Sequence, residues 1–368
     1  MMQLHHLHDR RDLAHDLLSR WAYDADRLDW LDRFRISSNA IYPFACEGRL
    51  RFLRFAPECE KRAGQLEAEL SWLEHLEGSG QAVVRPVPSL AGNQIERVTT
   101  AHGDYLVCVF EGVEGQRLDW MDWQPVPQQV LHACGQTLAL LHEDGIRWRN
   151  ESGRLPWHWR DVLAWAVRTV EALPVLPVGA LGLDDQGVPT QAFDTRPDAV
   201  RREAGRLAAV FGDMPSGSEV FGPVHFDFEM DNLFWQPEHQ RCVPIDFDDA
   251  MCHWHALDLC KTLDSVEETL CDKAEEAGAQ PGDPLWKSAA QAAAQCVLDG
   301  YRSIRPMPDA MMACKPDFDR FTALYGYARV VRAIALPNAG EPDWMTGLRG
   351  HLGSLLIRRR ALFLPAGH

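Results

Sequence analysis

The chain has 368 residues, 46% of them hydrophobic and 24% charged, and a formal net charge of −16 at pH 7. That length suits about two domains or lobes with real cores, and the acidic balance argues against a nucleic-acid partner, because phosphate backbones reward basic surfaces. No apolar run approaches the roughly 18 residues that cross a bilayer, and the ten cysteines form no C-x-x-C pair, which argues against structural zinc or a disulfide framework and fits a reducing cytosol.

The N-terminal residues are rich in His, Asp and Arg and lack the apolar stretch of a secretory signal, so a cytoplasmic location is expected. Residues 10–23 carry Leu13, Leu17 and Trp21 at helical spacing. From Trp30 the pattern changes. Phe34 to Ile36, Ala40 to Cys46 and Arg49 to Phe55 read as three strands, separated by turns at Ser37-Ser38-Asn39 and Glu47-Gly48. Residues 59–77 read as a helix with Leu66, Leu70, Leu73 and Leu76 on one side. Gln94 to Thr100 and Asp104 to Phe110 read as a hairpin around His102-Gly103, followed by a candidate hinge at Glu111 to Gly115.

Beyond the hinge, helical spacing recurs over Val130 to His142, Trp159 to Leu173, Pro197 to Phe211, Trp286 to Tyr301, Phe318 to Leu336 and Trp344 to Leu362. Residues 174–196 and 275–285 read as irregular connections. In this half only the catalytic segment, residues 224–260, looks strand-like. His253-Trp254-His255 lacks a third ligand at a recognisable spacing and reads as loop packing. The tryptophans at 120, 123, 148, 157, 159 and 165 read as core packing before a substrate wall.

The chemistry concentrates in Val224-His225-Phe226-Asp227-Phe228-Glu229-Met230-Asp231-Asn232-Leu233-Phe234 and Val243-Pro244-Ile245-Asp246-Phe247-Asp248-Asp249. Phosphoryl transfer from ATP needs one carboxylate to take the acceptor's hydroxyl proton, and an amide plus a second carboxylate to hold Mg²⁺ on the phosphates. Asp227 is the candidate base, and Asn232 and Asp246 the candidate metal ligands, since Mg²⁺ favours hard oxygen donors. A lone Asp in a loop is commonly a turn or cap residue. Asp246, however, ends an apolar strand, where burying a charge without a cation is costly.

The order H-x-D-x-x-x-x-N, then apolar-Ile-Asp, resembles the catalytic segment of the aminoglycoside phosphotransferase and choline kinase family over roughly residues 25–335. The resemblance implies an α+β, protein-kinase-like two-lobe fold. Residues 1–110 would form an N-lobe with an N-terminal helix, a five-stranded antiparallel sheet and one main helix. Residues 111–115 would be the hinge, and 116–368 a mainly helical C-lobe with a small catalytic hairpin in 224–260. It also implies ATP and Mg²⁺. Arg54 takes the place of the family's third-strand Lys, with Glu69 preferred over Glu67 as its partner. Lys61, the only Lys before Lys261, is expected to point elsewhere. Ser38 and Asn39 stand where a Gly-rich loop would face the phosphates, and Phe110 to Val113 would supply backbone contacts to adenine. His225 and Asp258 are expected to support the catalytic loop, Asp258 as an N-terminal cap that also ties it down. Asp248 and Asp249 extend the acidic run toward a substrate or second metal. Phe226 and Met230-Asp231 depart from the usual Gly and Pro-Gly.

The expected function is therefore an ATP- and Mg²⁺-dependent kinase of a small hydroxyl compound such as an amino alcohol, amino acid, sugar or aminoglycoside. Glu229, Asp231, Asp248 and Asp249 favour a cationic acceptor. The alternatives are a Ser/Thr protein kinase of the same family, disfavoured by the short link between Asp246 and Asp258, and a non-catalytic nucleotide-binding protein, disfavoured by the intact Asp227, Asn232 and Asp246.

Overall fold

The computed structural model describes residues 2–4, 11–36, 39–61, 63–123, 126–152, 157–184, 186–278, 283–337 and 340–364. Helix α1 (Arg11–Leu18) buries Leu13, Ala14, Leu17 and Leu18. Beyond it, Trp21 donates its indole N–H to the Val87 carbonyl at 2.9 Å. A 3₁₀ stretch over Ala25–Arg33 follows, which strand and helix periodicities do not signal.

Strands β1 (Arg35–Ile36), β2 (Ala40–Cys46), β3 (Arg49–Pro57), β4 (Pro86–Val87), β5 (Glu96–Thr100) and β6 (Gly103–Glu111) form one antiparallel sheet of order β1-β2-β3-β6-β4, with β5 also on β6. The β2–β3 turn places Glu47 and Gly48 at positive φ. The Asp24 carboxylate accepts both of their N–H groups at 2.8 Å, which fixes this turn from outside. The sheet has six strands rather than five. Pro86 and Val87 pair with Phe110 and Val109, and two residues carry no period-2 signal. Helix α2 (Ala63–Gly78) buries Leu66, Leu70, Leu73, Leu76 and Trp72. It starts later than expected because Glu58 N–H still bonds Asp104 across the sheet.

After β6, Gly112 N–H donates to Leu50, and Gly115, at φ +130°, lies so near Trp235 that a Cβ would come within 2.5 Å of its carbonyl oxygen. The chain continues through β7 (Gln116–Arg117), α3 (Gln128–Ser152), β8 (Trp157–His158), α4 (Trp159–Ala172), β9 (Val175–Leu176), β10 (Phe193–Asp194) and α5 (Pro197–Gly212). Then come β11 (Phe221–Val224), β12 (Leu233–Gln236), β13 (Arg241–Pro244), β14 (Met251–Trp254), α6 (His255–Glu276), α7 (Pro284–Ile304), α8 (Asp309–Met312), α9 (Lys315–Ile334) and α10 (Asp343–Phe363).

The catalytic segment 224–260 is therefore not the only part of this half that carries strands. β11-β14-β8 make one small sheet, β13-β12-β7 another, and β9 pairs with β10. Most of the unexpected strands have two residues. β14 is buried at every position, His253 included, so it shows no alternation. Trp123, Trp148 and Trp159 are core residues, while Trp120 is exposed. Helices α3 and α7 cross at two glycines. A Cβ on Gly135 would lie 1.9 Å from the Val297 oxygen, and one on Gly300 2.0 Å from the His132 oxygen. No helix among the described residues is long and apolar enough to cross a membrane.

Candidate active site

β11 delivers the chain to His225, and the β12–β13 hairpin brings Asn232 and Asp246 side by side. Leu233 pairs with Pro244, and Ile245 N–H donates to the Asn232 carbonyl at 2.9 Å. The Asn232 amide N–H₂ reaches the Asp227 carbonyl at 3.0 Å and its carboxylate Oδ2 at 3.1 Å. Asp227, Asn232 and Asp246, nineteen residues or fewer apart in sequence, thus form one constellation. Two backbone positions at this site are strained. Phe226 (φ +70°) and Asp246 (φ +61°) occupy the left-handed region, which non-glycine residues enter at a cost of order 1–3 kcal/mol, typically at functional sites.

The loop between β11 and β12 is tied to one face of α6. Asp258, Thr262 and Ser265 recur at i, i+4 and i+7. The Asp258 carboxylate accepts the His225 and Phe226 N–H groups, both at 2.7 Å. The Thr262 hydroxyl donates to the Phe228 carbonyl at 3.0 Å, and Met230 N–H donates to Ser265 Oγ at 3.0 Å. Asp258 is not the helix cap. α6 begins at His255 with Trp254 at the cap position, so Asp258 sits in the first turn, where the helix dipole also favours a carboxylate. Behind it, His142 approaches Asp258 Oδ2 at 3.2 Å and the Tyr301 hydroxyl at 2.8 Å. His225 bonds the Ile245 carbonyl through Nε2 at 3.0 Å and accepts Asp227 N–H on Nδ1 at 3.2 Å. Burial holds His225 below the ordinary imidazole range.

Arg54, on β3, and Glu69, on α2, make a buried bidentate pair with both contacts at 2.8 Å. The Arg54 guanidinium also lies over the Phe110 ring at 4.6 Å and 4.0 Å from carboxylate oxygens of both Asp246 and Asp248. Glu67 is exposed. Asn39 is buried and lines the same crevice as Arg54 and Lys61. Val113 is partly buried. Ser38 lies outside the described residues. Lys61 does not point elsewhere but pairs with Asp248. Asp249 is bound by Arg329 and, at 3.1 Å, by the Tyr325 hydroxyl. Burial would raise its pKa, but Arg329 outweighs burial and brings it down to about 2.

The remaining carboxylates behave differently. Burial pushes Asp246 up to about 6, against the pull of Arg54, and Glu229 up to about 7, against that of Lys261. Asp231 is raised by burial too. Carboxylates so crowded and desolvated are stabilised by a cation. The Asn232 amide oxygen accepts no hydrogen bond among the described residues and suits a hard metal. Among those residues no group of three or more His, Cys, Asp or Glu could by itself hold a metal. Asn232 and Asp246 therefore fit an ion such as Mg²⁺ whose remaining positions are filled by phosphate oxygens and water.

Sequence patterns missed Lys261. Its ammonium lies 3.0 Å from Glu229 Oε1, 3.6 Å from Asp227 Oδ1 and 4.4 Å from the Phe226 ring centroid. The available signal was its place one turn after Asp258 in a chain with few lysines.

The sequence profile described as "Phosphotransferase enzyme family" matches residues 38–305, nearly three quarters of the chain. The chain belongs to the phosphotransferase enzyme family. It is accordingly a transferase of kinase type. A protein named amicoumacin kinase, from Bacillus subtilis (strain 168), is 23% identical over 263 residues, covering 70% of this chain and 68% of its own length. The fold matches a solved amicoumacin kinase in complex with AMP-PNP, Ca²⁺ and Ami, at a TM-score of 0.66 and 16% identity, over 98% of this chain and 95% of that one. It also matches a microcompartment-associated aminopropanol kinase at a TM-score of 0.59 and 19% identity, over 95% and 96% of the two chains.

Proposed function

We propose that this phosphotransferase moves the γ-phosphoryl group of ATP, with Mg²⁺, to a hydroxyl of a small, amine-bearing acceptor. Residues 1–110 and 116–368 would act as two lobes around the nucleotide, joined by 111–115. The observation that carries the reading is the Asp227–Asn232–Asp246 constellation, with its loop held by Asp258. Asp227 orients the acceptor hydroxyl and takes its proton late in transfer. Asn232 and Asp246 hold the metal, which when bound neutralises charge on the phosphates. Arg54, aligned by Glu69, faces the phosphates through a fork that Lys would lack. Asn39 borders the same region, and Phe110 and Val113 flank the adenine. Asp248 and Asp249, already paired with Lys61 and Arg329, serve structure rather than substrate.

Asp231, exposed and without an ion pair among the described residues, favours a cationic acceptor. A small acceptor is further supported by residues 247–257. They are taken up by a short 3₁₀ turn, β14 and the start of α6, with no room for a peptide platform. Relatives named for amicoumacin and aminopropanol agree with this class. The test is an ADP-release screen over amino alcohols, hydroxy amino acids, aminoglycosides and neutral sugars, with Asp227→Asn as control. Turnover with amine-bearing acceptors that D227N abolishes is expected. Equal turnover by D227N would refute the assigned base, and turnover confined to neutral sugars would refute the acceptor class.

A further inference from the structure

Lys261 lies on the same polar face of α6 that holds the loop, yet it bonds no loop backbone. Its side chain is 15% exposed, while Asp227 and Glu229, which flank it, are about a third exposed at 33% and 38%. The ammonium carries three N–H donors. One contact, to Glu229 at 3.0 Å, is short enough for a hydrogen bond. The other, to Asp227 at 3.6 Å, is too long. Among the described residues it makes no further ion pair. The Phe226 ring lies 4.4 Å from the ammonium, which leaves donor capacity beside the partly exposed carboxylate of Asp227. Burial alone would lower the ammonium's affinity for its proton. Glu229 and Asp227 outweigh burial and keep it charged.

We propose that Lys261 is a catalytic residue that binds an outer oxygen of the phosphoryl group while it passes to the acceptor. This rests on Asp227 being the base. In the transfer, the acceptor oxygen forms a bond to γ-phosphorus, and the bond from γ-phosphorus to the β–γ bridging oxygen breaks, its electron pair leaving with ADP. The acceptor's proton passes to Asp227. A cation beside a base weakens it as a proton acceptor. That cost is small where proton transfer is late, and the charge spread over the outer phosphoryl oxygens is what a fixed, desolvated ammonium stabilises best. The arrangement also accounts for Phe226. A glycine there would leave the ammonium without its floor, so the strained backbone at 226 is retained for the ring.

The experiment uses MgADP with aluminium fluoride, which occupies the position of a transferring phosphoryl and needs no acceptor. Affinity is measured calorimetrically for the parent, Lys261→Met and Lys261→Arg. The parent is expected to tighten when fluoride is added. K261M should bind MgADP like the parent but lose about tenfold or more of the fluoride-dependent tightening, and K261R should recover part of it. A merely structural lysine would weaken MgADP binding and thermal stability without touching that difference. Parent-like tightening in K261M overturns the proposal, as does a parent that binds MgADP without any tightening. Absence of MgADP binding by the parent would instead overturn the kinase reading on which it rests.

Discussion

The guanidinium fork of Arg54 meets the carboxylate of Glu69 oxygen for nitrogen, both contacts at 2.8 Å, with neither side chain more than 6% exposed. A pair this buried is costly to break from one side, because the survivor keeps its charge and loses its partner. Glu69→Ala should therefore lower unfolding free energy by about 3–5 kcal/mol in urea titrations. Arg54→Lys should fold but lose kcat/KM for ATP, since a point charge cannot replace the fork. A Glu69→Ala loss under about 1 kcal/mol would mean that water reaches the pair.

Phe226 sets a local strain against burial. Relief of a left-handed backbone by Phe226→Gly gains about 1 kcal/mol, whereas removal of a buried aromatic side chain costs about 3–5 kcal/mol. The ring touches Tyr325 and Phe321 as well as Lys261, so packing should win, with net destabilisation of about 2–4 kcal/mol. A melting temperature for F226G at or above the parent's would reverse that balance.

Asp258→Asn keeps the shape but exchanges one acceptor oxygen for a donor facing the loop amides. One of His225 N–H and Phe226 N–H then loses its partner, at about 1–3 kcal/mol. Since these amides position Asp227, turnover should fall well beyond the stability loss, with MgADP affinity nearly intact. Equal kcat in D258N would show that the loop is held by Thr262 and Ser265 alone.

Histidine burial makes a pH prediction. His253 is fully buried among Phe211, Phe318 and Phe321, and burial holds it well below the ordinary value of 6.5. The unfolded chain takes up this proton below about pH 6.5 and the folded one does not, so the neutral histidine's contribution is complete above 6.5 and lost as pH falls. Relative to the parent, His253→Phe should gain about 1.4 kcal/mol of stability per pH unit below 6.5, on top of any constant offset. The differential removes the opposite contributions of Asp246 and Glu229, whose raised values favour the folded state on acidification. A parent-to-variant difference that stays constant with pH would mean His253 is protonated in place.

Much of the fold and the position of the candidate site was legible in the sequence because spacing encoded it. The β2–β3 pair and the leucine stripe of α2 rest on regular periods, and the Asp227–Asn232–Asp246 order on the fixed spacing of a motif. What escaped was governed by contacts that periodicity ignores. The inward face of α6 is polar, with Asp258, Lys261, Thr262 and Ser265, so apolar spacing gave no sign of how it grips the loop. Lys61 turned inward because Asp248 is buried nearby, a fact about tertiary neighbours. β4, β7 and β8 are too short to show alternation, and β14 is buried on both faces.

The crossing of α3 and α7 has a reach beyond packing. Gly300, pressed on His132, stands next to Tyr301, which holds His142, which in turn holds the carboxylate beneath the loop. Prising the two helices apart, by a bulkier side chain or by a small molecule wedged at their contact, would switch the enzyme off without occupying the proposed nucleotide cleft. Resistance to such an inhibitor would arise far from the residues proposed to face phosphate.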